Sequence, residues 1–207
     1  MNLSRCRFLL LFMTPLALCQ VAHQTDPASR VDEREALVRS LYQQVLAHQR
    51  AGVPKGANMK IFAPYLSKTL LSRIDAARAC LGDWLRQNPD PNLKPEFGWL
   101  ELGLFSGENE RANPRTFKIL KTEQENDGSF QVFVSLTYSE PPALKMNWQV
   151  VAIVVQENGH FAVNDIIYLK DEVLDVESRL SNALTAGCDG PRWVGFGNQQ
   201  GKPRQQW

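Results

Sequence analysis

The sequence predicts an α+β fold, in which a curved antiparallel sheet of about four to five strands wraps around N-terminal helices and a C-terminal helix follows. Apolar residues first recur at helical spacing, through residues 37–46 and 66–84. The period then changes to strand-like alternation between 116 and 169. Two turn signals, Asn126-Asp127-Gly128 and Asn158-Gly159, divide that second half into hairpins. No internal repeat interrupts the order, so residues 20–187 read as a single domain, with 188–207 as a Gly/Pro-rich tail.

The chain opens on an export signal. Residues 1–7 hold Arg5 and Arg7 and no acid, residues 8–19 (FLLLFMTPLALC) are nearly all apolar, and the first acidic residue is Asp26. A basic start, a short apolar run and small residues at its end form the secretory pattern. A spanning helix needs roughly 20 apolar residues, and this run is shorter and contains Pro15. Cleavage after Cys19 is expected, since Ala17 and Cys19 occupy the two positions a signal peptidase reads. Leu16-Ala17-Leu18-Cys19 also resembles a weak lipoprotein box, so a lipid anchor at Cys19 is the alternative.

Ser29-Arg30-Val31-Asp32 reads as a capping box that opens the first helix. Leu37, Val38, Leu41, Tyr42, Val45 and Leu46 line its buried face, Glu35 and Arg39 form an i,i+4 pair, and Gly52 serves as a stop. A second helix is expected from near Pro64, with Leu66, Leu70, Ile74, Ala77, Leu81 and Trp84 as its stripe and a break near Asp75. The prolines of residues 88–95 (NPDPNLKP) mark a loop. Residues 97–105 (FGWLELGLF) read as an irregular strand and 108–114 as a polar loop. Strands follow at 116–123 and 129–139, then a longer connection starting at Glu140-Pro141-Pro142, then strands at 147–157 and 160–169. Residues 150–155 are apolar on both faces, so that strand is placed centrally. A last helix is expected over 171–186, stopped by Gly187.

Charge excludes some partners. Lys and Arg number 23 against 22 Asp and Glu, and without Arg5 and Arg7 the net charge falls by two, from +1 to −1. Neither nucleic acid nor an anionic membrane surface is implied. With Cys6 and Cys19 belonging to the signal, Cys80 and Cys188 are left as a pair in an oxidising compartment, and a disulfide between them is expected. It would close a loop of more than 100 residues.

Chemistry is sparse. His23, His48 and His160 have no metal-ligand spacing and no CxxC is present, so no metal or cofactor is expected. No GxSxG elbow, phosphate loop or dinucleotide fingerprint occurs. Asp165 is the one weak catalytic candidate. Strict alternation sets it among Phe161, Val163, Ile167 and Leu169, where desolvation could raise its pKa and make it a general base. The plainer reading is a carboxylate that satisfies a nearby backbone donor or sits at a strand bend. Trp99, Phe105, Trp148 and Trp193 lie at element edges, where aromatics anchor protein partners or close the ends of a sheet, while Trp84 belongs to the helix stripe.

The segments FAPYLSKTLLSRI, DGSFQVFVSLTYSE, WQVVAIVV and GHFAVNDIIYL together resemble an exported bacterial family of unknown function assigned to the nuclear transport factor 2-like (cystatin-like) fold. The resemblance spans about residues 37–169 and rests on overall pattern. It implies a curved sheet around a helix, with a conical cavity that relatives use for catalysis or for binding. Enzymes of that superfamily carry a His/Asp/Tyr set there, and only Asp165 has a comparable place. Some members resemble periplasmic immunity proteins that neutralise effectors of type VI secretion. The expectation is therefore a non-enzymatic periplasmic domain whose partner is a protein, a secreted toxic effector. A small-molecule-binding or catalytic cone using Asp165 is the alternative.

Overall fold

The computed structural model describes residues 27–48, 50–95, 97–107, 113–140, 144–169 and 178–188, with side chains left aside at 27–32 and 144. The signal segment, Cys19 and Trp193 lie outside the described residues.

Helix α1 (Pro27–His48) begins two residues before the expected capping box. Proline suits a first turn, where its missing N–H has no helical partner anyway. Val38, Leu41, Tyr42 and Val45 are buried along one face, as their spacing predicts. Glu35 does not pair with Arg39: it accepts a hydrogen bond from Thr122 Oγ1 at 3.1 Å, across to the sheet. The helix ends before Gly52, which serves the following loop instead.

The expected second helix starts four residues later than Pro64. A short helix α2 (Gly56–Phe62), which was not expected, and a 3-10 turn holding Pro64 (Ala63–Tyr65) come before it. Leu66 is extended and bridges Val163 in parallel. Ser67 then caps α3 (Lys68–Gln87), its Oγ accepting from the Leu70 N–H at 3.0 Å. The break thus falls at Leu66–Ser67, and α3 runs unbroken through Asp75, which pairs with Arg78 at 2.6 Å. Leu70, Ile74, Ala77, Cys80, Leu81 and Trp84 form its buried stripe.

Residues 97–105 are not a strand. They form a 3-10 turn (Gly98–Leu100) and a tight bend closed by Gly107 N–H to Gly103 O at 2.8 Å. Their alternation is incidental. Phe97, Trp99, Leu104 and Phe105 all enter the same core.

Five strands form one antiparallel sheet in sequence order: β1 (Thr116–Gln124), β2 (Phe130–Glu140), β3 (Leu144–Glu157), β4 (His160–Tyr168) and β5 (Ser178–Arg179). Both hairpin turns stand where predicted. At Asn158 and Gly159 the φ angles of 50° and 83° match a two-residue hairpin, in which Asn and Gly tolerate the left-handed region best. The connection after Glu140 is shorter than expected: Glu140 is already paired with Leu144. β3 is third of five and apolar on both faces, with Val150 and Val151 both buried.

Helix α1 crosses the inner face of the sheet. Tyr42 meets the ring of Phe117 on β1 at 5.7 Å, and the Arg34 guanidinium lies 3.7 Å from the ring centre of Phe130 on β2 and 5.3 Å from that of Phe161 on β4. Bulges in β1 and β4 bend the sheet around it. After β5 the chain forms helix α4 (Leu180–Thr185); of the helix expected over 171–186, Ser178–Arg179 are strand instead and residues 171–177 lie outside the described residues. Gly187, with φ 82°, closes its end as predicted. Among the described residues no helix is long and apolar enough to cross a membrane.

Candidate functional site

The bulge in β4 decides the fate of Asp165. Pairing runs Val154 with Val163 and then Ile153 with Asp165, so Asn164 is the extra residue. One inserted residue reverses which side chains face the core. Val163, Ile166 and Tyr168 therefore join the inner core, while Asp165 and Ile167 stand with Ile153 and Val151 on the opposite face. The predicted alternation through 161–169 holds only as far as Val163.

Asp165 is buried, at 5% exposure, and its carboxylate is fully engaged. Oδ1 accepts from the backbone N–H groups of Ile166 (2.9 Å) and Ser181 (3.0 Å), and Oδ2 accepts from Ser181 Oγ at 2.6 Å. Arg179, at the N-cap of α4, makes no side-chain cap, so Asp165 satisfies a first-turn donor of that helix from the neighbouring strand. Next to it, Asn164 Oδ1 accepts from Ser67 Oγ at 2.7 Å, and Ser67 caps α3. The bulged pair Asn164-Asp165 is thus a polar junction that seats the starts of two helices. A carboxylate whose two oxygens already hold three hydrogen bonds is committed to fastening chain.

The disulfide expected between Cys80 and Cys188 is present, with Cα atoms 6.0 Å apart and a sequence separation of 108. It joins the middle of α3 to the chain just beyond α4. For a loop of that length the chain-entropy argument gives on the order of 4–5 kcal/mol of stabilisation.

The aromatic candidates are corrected by burial. Trp99, Phe105 and Trp148 are each about 1% exposed and offer no surface to a partner. Trp148 Nε1 donates to Ser106 O at 2.8 Å, and Trp99 stacks on Phe97 at 5.5 Å. Two buried phenols hold the same segment: Tyr42 donates to Phe105 O at 2.8 Å and Tyr168 to Leu104 O at 2.6 Å. Burial pushes both hydroxyls well above their ordinary pKa, because the phenolate would lose its hydration.

A cavity of about 260 Å³ lies elsewhere, between the end of α1, the loop 50–55, α2 and the bend at 104–105. Asp165 does not line it. His48, Arg50, Lys55 and Asn58 supply its polar walls, and Phe62 and Phe105 belong to its apolar ones. These residues escape a motif search, although the basic run HQRAGVPK (48–55) was a faint signal. Among the described residues no three His, Cys, Asp or Glu side chains converge as a metal site would require.

No protein-family model matches the chain, and no curated protein matches it either. Among solved structures the chain is similar to a protein of unknown function from Bacteroides thetaiotaomicron VPI-5482. The identity is 18%, the TM-score 0.34, and the match covers 67% of this chain and 92% of that one.

Proposed function

We propose that the chain is a non-enzymatic protein-binding domain of the nuclear transport factor 2-like type, exported to the periplasm, where it neutralises a secreted toxic effector of type VI secretion. The observation that carries this reading is the engagement of Asp165. The acid best placed to do chemistry is taken up as a helix cap, with Ser181 and Ile166 as its partners. The apolar N-terminal run and the disulfide between Cys80 and Cys188 support an oxidising compartment. The outer sheet face supports a protein partner: Phe133, Ile153 and Val155 are half-buried there, next to polar Gln131 and Ser135 and the Lys121–Glu123 ion pair, whose Lys121 Nζ lies 4.2 Å from the Phe133 ring centre. Apolar side chains mixed with polar ones are typical of a non-obligate interface.

The test is recovery of a tagged copy from the envelope after crosslinking. A protein toxin recovered in stoichiometric amount, whose toxicity the tagged copy suppresses, is expected. Phe133→Asp and Ile153→Asp should abolish that recovery while the disulfide still forms. Recovery of a defined metabolite with no protein partner would overturn the reading.

A further inference from the structure

We infer that the bulge at Leu120 is a guard, which closes the free edge of the sheet to strand addition by a second copy of this chain. The edge of β1 is a different surface from the outer face described above, and the inference does not depend on the partner proposed there.

The two edges of the sheet are finished differently. Beside β4, Ile167 and Tyr168 are paired by β5, and Val163 is covered by Leu66 and by Ser67, whose N–H donates to Val163 O at 2.9 Å. On the opposite side β1 runs nine residues and, among the described residues, pairs with β2 alone. That is long for an open edge, since strands average about five or six residues. Its sequence, TFKILKTEQ, includes Thr, Phe and Ile, which favour extended chain. Such an edge presents a row of unpaired N–H and C=O groups, and the same strand in another copy is a ready match for it.

Leu120 interrupts that row at its middle. Ile119 pairs with Val134 and Lys121 with Phe133, so Leu120 is the extra residue, and it stands 44% exposed. Two runs of four remain, 116–119 and 121–124. A straight incoming strand in register with one run is a residue out with the other, and that slip sets inner side chains against outer ones. A second bulged β1 can match faces along its whole length in one antiparallel register, but that register sets Lys121 of each copy against Leu120 of the other. Both bulges and both lysines then meet at the centre of the ladder, where the regular hydrogen-bond spacing is lost and like charges are neighbours. Lys118 and Lys121 cost little while exposed, because solvent screens them, and an added strand would strip part of that screening.

The variant lacking Leu120 keeps every other pair of β1 with β2, because Ile119 and Lys121 already face consecutive residues of β2. In sedimentation velocity across a concentration series, it should self-associate at a concentration at least about tenfold below the parent. Hydrogen exchange should slow in β1 as association proceeds. Adding Lys118→Thr and Lys121→Thr should lower that concentration by about a further two- to fivefold. The two lysine substitutions alone, with Leu120 in place, should leave β1 exchange independent of concentration. A folded deletion variant that associates no more readily than the parent would overturn the inference, as would association that leaves β1 exchange unchanged. So would concentration-dependent protection of β1 in the lysine variant, which would make charge and not the bulge the barrier. Loss of near-ultraviolet circular dichroism on deletion would overturn it too, by showing that the bulge serves the curvature around α1.

Discussion

The meander of β1 to β4 and the seam along the outer edge of β4 are assembled differently. In the meander each strand pairs with its sequence neighbour, through turns of a few residues, and the register follows from those turns. Along the seam, Leu66 and Ser67 meet Val163 and Asn164, Ser181 meets Asp165, and Cys80 meets Cys188. Those contacts join segments far apart in the chain, and they are polar or covalent. The meander is held by its own local geometry, whereas the seam is held by specific pairs that must find one another.

The largest effect needs no substitution. Tyr42 and Tyr168 have raised pKa values from burial, above an ordinary value near 10 that the unfolded chain keeps. Their contribution is therefore full below about pH 10 and is lost as pH rises beyond it, because only the unfolded state ionises easily. Phenolate absorbance from these two tyrosines should appear in one cooperative step with loss of near-ultraviolet circular dichroism. A gradual rise with the fold intact would mean that the 104–105 bend is not clamped.

Next comes the covalent clasp. Cys80→Ser with Cys188→Ser should lower stability by on the order of 4 kcal/mol in urea unfolding. Hydrogen exchange should then quicken at α3 and α4 before it does at β2 and β3. Uniform acceleration would remove the distinction between the two regions. Asp165→Ala leaves the Ser181 and Ile166 donors without their acceptor and should cost about 1–3 kcal/mol. It sharpens the same point if α4 loosens while the β2–β3 pairing keeps its protection. Ser67→Ala should cost about 1 kcal/mol through the lost cap of α3. Asn158→Ala, in the meander, should cost less than about 1 kcal/mol, since only a strained turn is affected.

What could be read from the residues follows the same division. Asn158-Gly159 and Asn126-Asp127-Gly128 carry their conformation in their own chemistry, so both hairpins were legible. The central place of β3 followed from its apolar faces. The bulge at Asn164 was not legible, because no glycine or proline marks it and an asparagine at a half-exposed strand position is ordinary. That single residue moved Asp165 to the other face. Its partner Ser181 lies 16 residues further on, beyond a register that periodicity cannot specify. Trp99 and Phe105 were misjudged for a related reason: an apolar run with two glycines reads as a strand, whereas here it is an irregular segment pulled into the core by two buried phenols. The cavity residues were missed because a basic run after a helix looks like a solvated end.

The bulge at Asn164 also fixes a length. Between the Asn158-Gly159 turn and the two helix caps, β4 acts as a spacer whose residue count is set to the unit. Removing Asn164 would restore plain alternation and keep Asp165 opposite Ile153, but it would strip away the bulge and with it the acceptor that holds Ser67 Oγ at the start of α3. The proline-rich stretch at 88–95 carries no such obligation. Changes in chain length should therefore accumulate in that loop and be purged from β4, so that the two segments drift under quite different rules.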